Sequence, residues 1–148
     1  MPDIYSDGWY QAIIELANSR DDLSSRVPAG EWRVAIELEG DGLSPYVPPG
    51  TTRYWFIRLV DGKMLEFREA PGKIPGQGLQ YRFIGPAHVF EGVAAGVLDP
   101  VEVGLNGTIT VRGDMRLLMQ HAELTNVIFE VYAHNNVTEW SAGKPPYK

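Results

Sequence analysis

Apolar residues recur along the chain with two different periods, and the switches between them mark out its elements. In GWYQAIIELANSR, 8–20, Trp9, Ile13, Leu16 and Ala17 stand at helical spacing behind Ser6 and Asp7, either of which can cap, so the spacing predicts a first helix. In WRVAIELE, 32–39, the period becomes two. Trp32, Val34, Ile36 and Leu38 share one face and Arg33, Glu37 and Glu39 the other, the pattern of a half-buried strand. The Gly- and Pro-rich run GDGLSPYVPPGTT, 40–52, is too long for a hairpin turn and reads as a candidate flap. RYWFIRLV, 53–60, and MLEFREA, 64–70, flank Asp61-Gly62 with Lys63, a β-hairpin signal. A second loop, 71–78, leads to LQYRFI, 79–84, where Leu79, Tyr81 and Phe83 alternate with Gln80 and Arg82.

Beyond residue 84 the helical period returns. Pro86 stands where a first turn begins, and Val89, Phe90, Val93 and Ala94 follow at helical spacing up to Gly96, which predicts a short helix. Asp99-Pro100-Val101-Glu102 has the order of a second helix start, with Asp99 as N-cap, and Asn106-Gly107 stops it. TITVR, 108–112, is a fifth strand, and Gly113-Asp114 opens the longest helix, roughly 115–133. Met115, Leu118, Met119, Ala122, Phe129 and Tyr132 form its apolar stripe. The fold class this predicts is α+β: a five-stranded, mostly antiparallel sheet with helices packed on one face and a long helix after the last strand. Glu37, Glu66, Arg68, Arg82 and Arg112 are expected on the opposite, wet face.

Composition narrows the chemistry. With 148 residues and 44% hydrophobic content, the chain is expected to form one domain over 1–148. A formal charge of −6 disfavours a nucleic-acid partner and leaves at most weak, transient membrane contact. There is no cysteine, hence no disulfide, thiol nucleophile or Cys-ligated metal. The opening MPDIYSDGWYQAIIEL lacks the basic start of a signal peptide, so a cytoplasmic location is the expectation. The strings Arg112-Gly113-Asp114 and the sequons at Asn106 and Asn136 are expected to be structural. The tripeptide reads as a strand-to-helix corner with Asp114 as N-cap, and the asparagines as turn and helix-end residues.

The run IGPAHVFEGVAAGVLDPVEVGLNGTITVRGDMRLLMQHAEL, from Ile84 to Leu124, resembles the second half of a sterol carrier protein type 2 domain. It holds, in that family's order, a short helix with an aromatic-apolar core, an Asp-Pro start to a second short helix, a glycine before a strand, a Gly-Asp strand end and a methionine-rich helix. The resemblance implies a lipid held in an apolar tunnel between helices and sheet. It places the ligand-binding residues at Phe83, Phe90, Val93, Val101, Leu105, Met115, Leu118, Met119 and Ala122. The implied partner is a small apolar ligand, a fatty acyl or sterol-like lipid, with no cofactor and no metal. Two departures stand out: the chain is acidic where the family's eukaryotic members are basic, and it ends in KPPYK rather than a peroxisomal signal.

Other classes stay open at this stage. His88, His121 and His134 show no metal-ligand spacing, and although His88 and Glu91 can share a helix face, a catalytic pair also needs a pocket. A hot-dog thioesterase is the nearest enzyme alternative, but it buries its long helix early in the chain. A structural module whose Met115, Leu118, Met119, Ala122 and Phe90 fill a solid core is the third reading. The tail NNVTEWSAGKPPYK is read as either a cover for the tunnel mouth through Trp140 or a contact in a homodimer.

Overall fold

The computed structural model describes residues 2–99, 102–103, 106–114, 116, 120 and 137–147, with Leu23 and Ser24 described by backbone alone. The elements run α1 (Asp7–Ser19), α2 (Asp21–Ser24), β1 (Glu31–Glu39), β2 (Thr52–Val60), β3 (Lys63–Ala70), β4 (Tyr81–Pro86), α3 (Ala87–Ala94) and β5 (Thr110–Gly113). The strands form a sheet ordered β3-β2-β1-β4-β5. Pairing is antiparallel for β1–β2, β2–β3 and β4–β5, and parallel for β1–β4. Apart from Arg116 and Gln120, the stretch expected to form the long helix lies outside the described residues.

Local chemistry accounts for the elements. Ser6 caps α1 by accepting from the Trp9 N–H, and Trp9, Tyr10, Ile13 and Ala17 are its buried side. The Asp61-Gly62 turn takes positive φ at both residues, 47° and 84°, as a two-residue hairpin requires. In β3 the register shifts so that Arg58 pairs with Glu66 and Leu59 with Met64. Leu65 is therefore the extra residue of a bulge, and both Met64 and Phe67 reach the core although three apart.

One sheet face carries α1 and α3 over Trp32, Val34, Ile36, Leu38, Trp55, Ile57, Phe67, Tyr81 and Phe83, all in one core. The other face is not uniformly wet, which corrects the expectation for Glu37 and Arg82. Glu37 is buried and ion-paired with Arg82, whose guanidinium also donates to the Ile74 carbonyl of the 71–80 loop. Ala35 and Phe56 are buried on this face too, with the Arg68 guanidinium over the Phe56 ring. Arg68 and Arg112 stay exposed on this face as expected.

The Arg112-Gly113-Asp114 string is built into a strand end. Arg112 pairs with Arg82 and Gly113 with Tyr81, and Gly113 has φ +145°. A Cβ there would stand 2.2 Å from the Gln80 carbonyl oxygen. Gly113→Ala is expected to cost about 1–3 kcal/mol or more in urea unfolding, and an unchanged midpoint would contradict this packing. The capping role expected of Asp114 concerns a helix outside the described residues. Asn106 is a turn residue as expected, its side-chain oxygen accepting from the Thr108 N–H at 2.9 Å.

Candidate functional site

Of the nine lining residues expected from the sequence, Phe83, Phe90 and Val93 are described, and each is fully buried in the same core. Val101, Leu105, Met115, Leu118, Met119 and Ala122 lie outside the described residues. Phe83 comes from β4, Phe90 and Val93 from α3. Gly85 lets Phe90 and Ile109 pack close to β4, because a Cβ at that position would sit 3.3 Å from both side chains. On the β2–β3 side of the core, Tyr5, Trp9, Tyr10, Trp55 and Phe67 pack ring against ring, with centroids 5.0–6.2 Å apart.

α3 also carries a polar group into this apolar setting. Ala87, Val89, Phe90, Gly92, Val93 and Ala94 are all buried, and so is Glu91, with 0% exposure. Burial of a carboxylate is costly unless donors replace water. Here the Tyr5 hydroxyl donates to Glu91 Oε2 at 2.5 Å, the Ser44 hydroxyl to the same oxygen at 2.9 Å, and the Tyr147 hydroxyl to Oε1 at 2.8 Å. These donors come from the N-terminal segment, the 40–51 loop and the C-terminal tail. Burial pushes the Glu91 carboxyl above the usual carboxylate range, with Asp41 adding to the rise and the three hydroxyls opposing it.

Asp41 sits beside this node. Pro86 stands at the N-cap of α3 and offers no side-chain acceptor, and Asp41 supplies one: its Oδ2 accepts from the His88 N–H at 3.0 Å. The same oxygen lies 2.6 Å from His88 Nδ1, while Oδ1 accepts from Leu43 N–H at 2.9 Å and Ser44 N–H at 3.1 Å. Burial opposes ionisation of Asp41, but these bonds from His88, Ser44 and Leu43 outweigh it and hold the carboxyl down to about 2. His88 therefore pairs with Asp41, not with its helix neighbour Glu91. Ser44 turns its hydroxyl to Glu91, so the contacts do not form a relay from Asp41 through His88 to a serine.

Against solved structures, the chain superposes on the crystal structure of sterol carrier protein 2 with a TM-score of 0.71 and 14% identity, over 89% of this chain and 98% of that one. The fold is that of sterol carrier protein 2. A solution structure of a conserved hypothetical protein from Thermus thermophilus, described as a candidate sterol carrier protein, matches with a TM-score of 0.59 and 15% identity, over 91% of this chain and 94% of that one. No family model and no curated protein matches the sequence.

Within this sterol-carrier-like fold, the 40–52 run, read from the sequence as a candidate flap, is held closed. Gly40 N–H donates to the Thr51 carbonyl at 2.8 Å across its base, and Val47 and Ser44 are buried. Tyr46 on the loop clasps the tail, donating to the Gly143 carbonyl at 2.7 Å and accepting from the Ala142 N–H at 3.0 Å. Trp140 packs against that same tyrosine. The tail also pairs with the N-terminal segment at Asp3–Glu139, and Trp9 Nε1 donates to Thr138 at 2.8 Å. A separate open groove of about 650 Å³ lies between the start of α1 and the ends of β2 and β3, and includes Asp7, Tyr10, Arg53 and Glu69.

Tyr5, Asp41, Ser44 and Tyr147 escaped the sequence reading because they are scattered in the chain and meet only in the fold. The available signal was Glu91 itself, a lone acid in the apolar stretch HVFEGVAA, where only a set of distant donors makes a carboxylate tolerable. Among the described residues no cluster suits a metal ion, and no helix is long and apolar enough to cross a membrane.

Proposed function

We propose that the protein is a single-domain, non-catalytic carrier that binds a small apolar ligand, a fatty acyl or sterol-like lipid, between its helices and sheet. The observation that carries this reading is the likeness to sterol carrier protein 2 over 89% of this chain, the name of that protein stating its cargo. In support, Phe83 of β4 and Phe90 and Val93 of α3 share one apolar core. Val101, Leu105, Met115, Leu118, Met119 and Ala122 complete the lining in this reading. Methionines suit such a wall because their unbranched side chains adapt to varied ligand shapes.

The driving force is desolvation. About fifteen buried methylenes at ~0.8 kcal/mol each supply roughly 12 kcal/mol gross. Several kcal/mol of lost freedom still leave micromolar or better affinity, with loose specificity. A second reading, a structural module with a filled core, is favoured by the near-zero exposure of Phe83, Phe90 and Val93. The two separate in a titration with fluorescent fatty acid and acyl-CoA. The carrier binds both saturably and leaves acyl-CoA intact. Acyl-CoA turnover that disappears in His88→Gln would replace the carrier with an enzyme, and absence of any binding would favour the filled core.

A further inference from the structure

We propose that Glu91 is a pH-sensitive latch that closes the N-terminal segment, the 40–51 loop and the C-terminal tail over α3, and that its ionisation loosens all three together. The consequence for ligand exchange rests on the carrier reading above; the latch itself rests on the geometry of the node and the burial of its carboxylate. Tyr5, Ser44 and Tyr147 belong to chain segments far apart in sequence, and their hydroxyls end on the two oxygens of one fully buried carboxylate. The residues on either side along α3, Phe90 and Val93, belong to the proposed ligand wall. The segments tied to Glu91 therefore cover the helix that a ligand must pass or displace.

The groups that face this node set the direction of the switch. From the loop come Asp41, whose charge disfavours ionisation of Glu91, and Tyr46. From the tail comes Tyr147, with Glu139 farther out, and from the N-terminal segment Tyr5 and Asp3. The Arg53 guanidinium of β2 reaches the Tyr5 ring face, 4.6 Å from its centroid, and His88 on α3 is engaged by Asp41. None of the described hydrogen-bond donors to Glu91 is a cation.

A protonated Glu91 keeps the node intact, because a hydroxyl oxygen can accept the carboxyl proton. An ionised Glu91 places a charge in an apolar interior beside the Asp41 carboxylate, and water reaches it only if the covering segments part. With its folded-state pKa raised by burial, Glu91 stabilises the closed state fully below the ordinary carboxylate range, and this contribution is lost as pH rises through the raised value. Asp41, held at about 2, stays ionised through that window and does not supply the switch.

The test is hydrogen–deuterium exchange of the full-length chain, read by mass spectrometry on peptides covering 40–51 and 137–147 and corrected for intrinsic exchange. As pH rises from the ordinary carboxylate range through the raised value, protection of both segments is expected to fall together, on the order of tenfold for each pH unit of raised pKa. Glu91→Gln, which stays neutral, is expected to show no such fall. Tyr147→Phe removes a donor to the charged form and should move the midpoint to higher pH, an arm that survives if Glu91→Gln does not fold. Segments that lose protection at different pH values, or a pH dependence unchanged in Glu91→Gln, would overturn the latch. Release of a pre-bound fluorescent fatty acid is followed over the same pH range. Lipid uptake without coupled protection removes the latch and keeps the carrier; coupled protection without lipid uptake keeps the latch and removes the carrier.

Discussion

Trp55→Ala is expected to remove about 3–5 kcal/mol of stability, the cost usual for deleting a large buried aromatic side chain. Trp55 is 1% exposed on β2 and stands at the centre of rings drawn from three parts of the chain. Its centroid lies 5.6 Å from Tyr5, 5.7 Å from Trp9, 6.2 Å from Tyr10 and 5.1 Å from Phe67. The loss combines transfer of the indole to water, the cavity left behind and the edge-to-face contacts with Tyr10 and Phe67. The rings around the hole belong to α1, β3 and the N-terminal segment, so collapse to fill it would have to move several elements. Urea unfolding monitored by the remaining tryptophans checks this; a loss below about 1 kcal/mol would mean that the aromatic cluster does not hold α1 to the sheet.

Glu91→Ala is expected to cost about 2–4 kcal/mol near neutral pH, by a different mechanism. The Tyr5 and Ser44 hydroxyls are buried and lose their acceptor, at about 1–3 kcal/mol each. Tyr147 is half-buried, so its hydroxyl can turn to water at smaller cost. Wherever Glu91 is ionised, removing its buried charge offsets part of the loss. Because the Glu91 carboxyl is raised above its unfolded value, the wild-type protein is itself less stable at higher pH. The gap between wild type and Glu91→Ala is therefore expected to narrow as pH rises, and a gap that widened would reverse the assignment.

The strands were legible because their signal is local. Asp61-Gly62 dictates a hairpin whatever surrounds it, and the alternation of Trp32, Val34, Ile36 and Leu38 names the face that carries the helices. What alternation could not show is that β1 lies mid-sheet beside a parallel β4, so Glu37 was read as wet although it is buried and paired with Arg82. α2 was missed because DDLS is a single turn without periodicity. β4 was placed two residues early, since Leu79 and Gln80 continue the alternation although the strand begins at Tyr81.

The candidate site was legible to a different degree. Phe83, Phe90 and Val93 announce themselves as apolar residues at strand and helix spacing, and the fold brings them together. The Glu91 node joins Tyr5 to a residue 86 positions away, and no local pattern encodes such a meeting. The anchoring of 40–52 was not legible for the same reason. Glycine and proline content describes a turn-rich backbone, while the buried Val47 and Ser44, held by long-range contacts, decide that the loop is anchored.

The central claim, that the interior takes up an apolar ligand, is tested most directly by native mass spectrometry of the purified chain before and after incubation with long-chain fatty acid. The account predicts a discrete adduct of one apolar molecule, removed by organic extraction and restored by the fatty acid. A chain that remains at its bare mass under every loading condition, while folded and cooperative in unfolding, would contradict it.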